Sequence, residues 1–179
     1  MPHEDLRDFI RDLEEQNLIR WVDAEVDKDW EISVVTRTYF ARVHKTVRGA
    51  LGFRNIKGYE GQRLVVGTVG GGDGVYRLAL GIEEGFDAVN RKWHQALSHP
   101  VDAVMGNGAA PCQEVVLMGD EADLTRFPIP TWTPGKDPGP FLTSACQITK
   151  DRETGIRNVG VYRMQLKGPR KTGVLWEHP

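Results

Sequence analysis

Five of the chain's ten prolines fall within residues 128–140, at Pro128, Pro130, Pro134, Pro138 and Pro140. Proline has no N–H to give to a sheet ladder, so this stretch cannot be a central strand and is predicted to be an ordered loop built from turns. It divides the short β-type runs of the second part of the chain. Val115-Val116-Leu117 lies before it; residues 142–149 and 160–166 lie after it. Each run is short, rich in β-branched residues and bounded by turn formers, as expected of strands. The texture changes near Pro111, which places a domain boundary at 108–111. The expectation is an α+β chain, with an α/β domain over residues 1–110 and a mostly β domain over 111–179.

The first part alternates helix and strand signals. Leu6, Phe9, Ile10 and Leu13 recur at i, i+3, i+4 and i+7, which predicts an amphipathic helix over 4–16. Acidic residues crowd its first turn, where the helix dipole favours them. Residues 18–22 read as a strand. A second helix is predicted over 30–43, with Ile32, Val35, Tyr39 and Val43 facing inward. Strands follow at 53–56 and 63–67, separated by a Gly58/Gly61 turn, and a third helix is predicted over 86–97, ending before Pro100.

With 179 residues and 40% hydrophobic side chains the chain can bury a core. A formal net charge of −2 gives no sign of a nucleic-acid surface. No apolar run approaches the ~20 residues that span a bilayer, and Met1-Pro2-His3-Glu4-Asp5 has no apolar signal core. Cys112 and Cys146 are far apart and form no CxxC motif. These features together fit a reducing, cytoplasmic setting.

The glycine-rich run Gly67-Thr68-Val69-Gly70-Gly71-Gly72-Asp73-Gly74 follows a strand, but GxGxxG fails because position 75 is valine, and no GK[ST] is present. A βα turn is the reading it favours over a phosphate cradle. Of the five histidines, His94 and His99 are five apart and do not share a helix face. No HExxH motif and no zinc-type spacing occurs.

Residues 154–165 hold the sharpest local pattern. A turn at Thr154-Gly155 leads into an extended segment in which Asn158, Gly160 and Tyr162 would share one face and Val159, Val161 and Arg163 the other. One polar ligand and one fixed cation can hold an anionic cofactor; an ordinary edge strand reads the same way. Residues 167–171 form a turn, and a returning strand Val174-Leu175-Trp176 would bring His178 back towards Asn158. Such an Asn–His pair can supply two ligands of an octahedral Mg2+- or Mn2+-type ion. A surface histidine is the plainer alternative.

A series of motifs then resembles one family. Asp123-Leu124 with Phe127-Pro128-Ile129-Pro130 comes first, followed by Asp137-Pro138-Gly139-Pro140-Phe141-Leu142-Thr143. Ile148-Thr149-Lys150-Asp151, Thr154-Gly155 and residues 158–165 follow. In order and spacing they resemble the UbiD family of decarboxylases across about 120–168, with looser agreement towards the N-terminus.

The resemblance implies reversible non-oxidative decarboxylation of an aromatic or α,β-unsaturated carboxylic acid with prenylated FMN as cofactor. It implies a fold in which the α/β part leads into the first strands of a split β-barrel that binds the flavin. A divalent ion, Mn2+ (or Mg2+), with a nearby K+ would tie the cofactor phosphate to the protein. By motif match Asn158 is an implied metal ligand, and His178 is the nearest candidate for the family's histidine ligand. Arg163 is the implied catalytic arginine facing cofactor and substrate carboxylate. Val161, Tyr162, Leu175 and Trp176 are implied cofactor contacts. The glutamate metal ligand and the acidic catalytic groups are expected downstream of Pro179, as is an oligomerisation domain.

The implied partners are a small carboxylic acid substrate, a flavin prenyltransferase that supplies the cofactor, and either further copies of this chain or a chain carrying the missing C-terminal part. A non-catalytic or partner-dependent binding or assembly subunit of the same family is the alternative, and a flavin reductase on the same barrel type is a more distant one.

Overall fold

The computed structural model describes residues 3–83, 85–102, 104, 106, 108 and 110–175. The chain forms two compact units, each assembled from three stretches. The first comprises Met1–Val22, Thr38–Gly52 and Val65–Met118; the second comprises Asp23–Arg37, Phe53–Leu64 and Gly119–Pro179.

In the first unit, helix α1 (Leu6–Glu15) starts where Asp5 caps it, its carboxylate accepting from the backbone N–H of Arg7 at 2.7 Å and of Asp8 at 2.9 Å. The helix ends at Asn17, whose φ of 55° turns the chain so that Leu18 N–H reaches the Leu13 carbonyl at 2.7 Å. Strand β1 (Ile19–Val22) follows. With β2 (Ala50–Phe53) and β3 (Leu64–Val66) it forms a three-stranded sheet in the order β1-β2-β3. Phe9 and Leu13 of α1 join Ile19, Ala50 and Val75 in one apolar cluster, flanked by Leu18, Trp21, Val65 and Leu78. Burial of such side chains supplies about 1.5–3 kcal/mol each and gives the sheet its position. Leu6, expected on the inner stripe, is 59% exposed because α1 presents only its later turns to this cluster.

Helix α2 (Glu31–Arg42) has Ile32 fully buried; α4 (Phe86–Ser98) matches the third expected helix. Between them lies α3 (Asp73–Leu80), which has no counterpart among the sequence expectations. Val75 and Leu78 give it an inner face, and Gly81, at φ 61°, closes it with N–H bonds back to its last turn.

The glycine run before α3 is a packing device. A Cβ on Gly72 would strike the Arg48 carbonyl and come within 2.8 Å of the Lys45 carbonyl. Asp73 N–H donates to that Lys45 carbonyl at 3.0 Å, and Gly71 N–H donates to Gly67 at 2.8 Å. These amides are already occupied by the backbone, in agreement with a βα turn.

The second unit contains the Pro-rich segment, which is ordered throughout. Thr131 donates to Asp29 through both its N–H (3.0 Å) and its hydroxyl (2.8 Å). Asp137 accepts from Thr133 N–H at 2.7 Å, Phe141 N–H reaches the Pro130 carbonyl at 3.0 Å, and Trp132 Nε1 donates to the Phe141 carbonyl at 3.2 Å. Partial burial pushes the Asp29 carboxyl upward, but hydrogen bonds from Lys28 and Thr131 more than reverse this and hold it below its ordinary range. A parallel bridge joins Val26 to Ile56, both buried.

Five short strands complete this unit: β4 (Phe141–Leu142), β5 (Cys146–Lys150), β6 (Arg157–Val161), β7 (Met164–Gly168) and β8 (Lys171–Val174). They form two antiparallel sheets, one in the order β4-β7-β8 and one of β5 with β6. The β5–β6 turn is closed by Asp151, which accepts from Thr154 N–H (2.6 Å), Thr154 Oγ1 (2.8 Å) and Glu153 N–H (3.0 Å), with Gly155 at φ 73°. The β7–β8 hairpin turns at Pro169-Arg170, within the expected 167–171.

Five expectations need correction. The returning strand expected at 174–176 is β8 at Lys171–Val174; Leu175 lies past its end and Trp176 lies outside the described residues. The strand expected at 53–56 lies three residues earlier, because Ala50-Leu51-Gly52-Phe53 is the stretch buried throughout and Gly52 leaves room for the Trp21 ring. Val115-Val116-Leu117 is not a strand: it has no ladder partner among the described residues, follows a 3-10 turn at Pro111–Gln113, and leaves Val115 74% exposed. The run at 142–149 is two strands, β4 and β5, in different sheets. The segment from Asn158 to Arg163 is likewise not one strand. β6 ends at Val161, and the chain passes through Tyr162 and Arg163 before joining the other sheet as β7. Backbone pairing with two different neighbours overrides the continuous β-propensity of the run.

The architecture is thus mixed α and β, with a sheet and helices first and small antiparallel sheets after. Among the described residues no helix is long and apolar enough to cross a membrane. Cys112 and Cys146 are free and exposed.

Candidate functional site

The passage from β6 to β7 delivers Arg163 to the β4-β7-β8 sheet. There it borders a cavity of about 310 Å3, lined with Phe141, Gln165, Lys167, Val174 and Leu175. Register explains the cavity. Gln165 faces Gly173 across β7–β8 and Met164 faces Val174, so a missing side chain at Gly173 leaves a gap beside Gln165. The Lys167 stem lies over that gap, its Cε 3.2 Å from where a Gly173 Cβ would be.

The Arg163 guanidinium sits 5.7 Å from the centroid of the Phe141 ring, within cation–π range. Neither Arg163 nor Lys167 has a carboxylate partner among the described residues. Two cations, an aromatic face and two aliphatic side chains around one opening suit a flat molecule bearing an anionic group. None of the lining residues carries a carboxyl group.

Asn158 stands elsewhere, on β6 opposite Thr149. Its exposed carboxamide has no hydrogen bond to the described residues, so its oxygen is open to a hard cation. Among the described residues there is no group of three His, Cys, Asp or Glu able to hold a metal ion. Val161 pairs with Cys146 at the end of β6. The Tyr162 ring folds over Gly160, which has no Cβ to obstruct it, and the Tyr162 carbonyl accepts from Gln147 Nε2 at 2.9 Å. Leu175 borders the cavity with Arg163. Trp176 and His178 lie outside the described residues.

Phe141, Gln165, Lys167 and Gln147 were not singled out by sequence reasoning. The alternation of Arg163, Gln165 and Lys167 was legible as a polar face. Gln147 carried no signal, since its role depends on which strand it opposes.

This order, a mixed α/β part followed by small antiparallel sheets, matches that of UbiD-class enzymes of known structure. Residues 10–97 match the model of the 3-octaprenyl-4-hydroxybenzoate carboxy-lyase N-terminal domain, and residues 103–179 match that of the Rift-related domain of the same enzyme family. The chain belongs to the UbiD family.

An uncharacterized protein of Archaeoglobus fulgidus is 35% identical over 195 aligned positions, covering 99% of this chain and 38% of that protein. Among solved structures, the UbiD-class enzyme HmfF from Pelotomaculum thermopropionicum, in complex with FMN, has a TM-score of 0.81 at 28% identity, covering 96% of this chain and 36% of its own. An evolved dimeric form of HmfF has been solved with prFMN. Vanillic acid decarboxylase (ShVdcCD) of Sedimentibacter hydroxybenzoicus, in open form, has a TM-score of 0.83 at 26% identity, over 96% of this chain and 37% of that one. The chain therefore spans well under half the length of the relatives it matches.

Proposed function

We propose that this chain takes part in the reversible non-oxidative decarboxylation of an aromatic or α,β-unsaturated carboxylic acid with prenylated FMN. The observation that carries the reading is the cavity beside Arg163 and Phe141, in a region that matches the Rift-related domain of UbiD carboxy-lyases. When bound, the prenylated flavin supplies the electron sink into which the substrate's electrons move as CO2 leaves.

The chain's own residues have the following proposed roles. Arg163 offers a planar fork to the substrate carboxylate, or to the anionic face of the cofactor, and Phe141 steadies the guanidinium. Lys167 adds positive potential at the cavity mouth. Val161 and Tyr162 contact the cofactor through the backbone, and Leu175 and Trp176 through apolar surface. Asn158, with His178, provides ligands for Mn2+ or Mg2+ near a K+ ion; the unpaired Asn158 carboxamide is the described group whose chemistry suits this. Protonation of the product carbon requires a general acid, and the lining residues have none, so we assign that group to a further segment or chain.

We accordingly propose that residues 1–110 form an α/β N-terminal domain and 111–179 a partial split-barrel domain that binds prenylated FMN. The partners are a carboxylic acid substrate, a flavin prenyltransferase as cofactor source, and either further copies or a chain completing the site. The setting is cytoplasmic. A second reading, a partner-dependent binding subunit, is favoured by the same lack of a carboxyl group in the cavity.

Co-expression with a flavin prenyltransferase, followed by absorption spectroscopy of the purified chain, tests the reading. Sub-stoichiometric flavin, raised when a C-terminal UbiD-class segment is added, is the expected result. Full occupancy by the chain alone would contradict the partial site, and no flavin in either preparation would contradict the decarboxylase reading.

A further inference from the structure

We infer that Gln147 is a positioning residue for Arg163; this rests on the role assigned to Arg163 above. Between Val161 and Met164 the chain leaves the β5–β6 sheet and enters β4-β7-β8. The last β5–β6 pair is Cys146 with Val161, and the first β7 residue is Met164. Tyr162 and Arg163 thus lie in neither ladder, and something other than strand pairing must fix their backbone.

Gln147 does so. It lies on β5 opposite Gly160, and its Nε2 donates to the Tyr162 carbonyl at 2.9 Å. That carbonyl belongs to the same planar peptide unit as the Arg163 N–H. Fixing the carbonyl direction therefore fixes the peptide plane from which Arg163 departs. The Tyr162 ring folds back over Gly160, the residue opposite Gln147. Gln147 Oε1 is buried and has no partner among the described residues. An amide kept in place with one end unsatisfied is costly, which points to its donor as the useful half.

The test compares wild type with Gln147→Met, Gln147→Glu and Arg163→Ala in the full chain, with FMN as the probe. Met keeps the length and removes the donor. Gln147→Met should weaken FMN binding, followed by flavin fluorescence, by roughly threefold to tenfold. It should also speed amide hydrogen exchange across 160–165 while cooperative urea unfolding is retained. In Gln147→Glu only the protonated carboxyl can donate, so its affinity relative to wild type should recover as the pH falls towards the ordinary Glu range, about 4.3. A residue that merely filled space would show no such recovery. Unchanged exchange at 160–165 in Gln147→Met, or equal affinity of Gln147→Met and wild type while Arg163→Ala binds weakly, would overturn the inference. Unchanged affinity in Arg163→Ala would instead overturn the role of Arg163, and the exchange data would still decide whether Gln147 fixes the 162–163 peptide.

Discussion

Phe141, which opens β4, and Arg163, which immediately precedes β7, meet with the guanidinium carbon 5.7 Å from the ring centroid. Phe141 opens β4 opposite Gln165, so the contact joins the end of the Pro-rich loop to the beginning of β7. The aromatic ring limits where the guanidinium can go without neutralising it, which leaves the charge available to an anion. Phe141→Leu keeps an apolar wall and removes the ring quadrupole. At an exposed site that is worth about 0.5–1 kcal/mol, so affinity for FMN should fall about twofold to fivefold. Fluorescence titration of the variant measures it.

Asp29 is the anchor of the Pro-rich loop, accepting from both donors of Thr131 and from Lys28. Asp29→Ala should cost about 1–2 kcal/mol, read as a lower urea midpoint. The pH dependence follows from the direction of the carboxyl shift. The folded-state pKa is depressed, so the stabilisation is fully present above the ordinary Asp value, about 3.9, and is lost as the pH falls through the lower folded value. The stability difference between wild type and Asp29→Asn should therefore shrink as the pH is lowered through that window. A difference that grew on acidification would reverse the assignment.

Gly72 tests the reading of the glycine run. Because a Cβ there meets the carbonyls of Arg48 and Lys45, and backbone cannot swing aside as a side chain can, Gly72→Ala should destabilise by about 1–3 kcal/mol. Gly70 has open space at the same position, so Gly70→Ala should leave stability near that of wild type. Paired urea melts of the two variants separate packing from a phosphate cradle; a cradle would make both variants lose anion affinity with stability unchanged.

Some of this architecture was legible in the residues, because local chemistry alone decided it. The apolar spacing of Phe9 and Leu13 after the Asp5 cap defines α1, and the prolines of 128–140 force an ordered loop. The Asp151–Thr154 turn and the 169–170 hairpin turn also follow from short-range chemistry. What was not legible depends on distant partners. Residues 158–166 are continuously β-like, and only pairing with β5 on one side and with β4 and β8 on the other divides them at Tyr162-Arg163. Val115-Val116-Leu117 has the composition of a strand and pairs with no strand among the described residues. Arg163 was named by its motif, and it borders the cavity. The contacts of Gln147 with the Tyr162 carbonyl and of Phe141 with Arg163 depend on register, which no local pattern encodes.

The measurement that tests the account most directly is FMN titration of the chain and its Arg163→Ala variant, side by side, under conditions where both unfold cooperatively in urea. The account predicts saturable binding by the wild type and at least roughly tenfold weaker binding by the variant, the scale of a lost charge-assisted hydrogen bond to an anion. Equal affinity in the two proteins would contradict it.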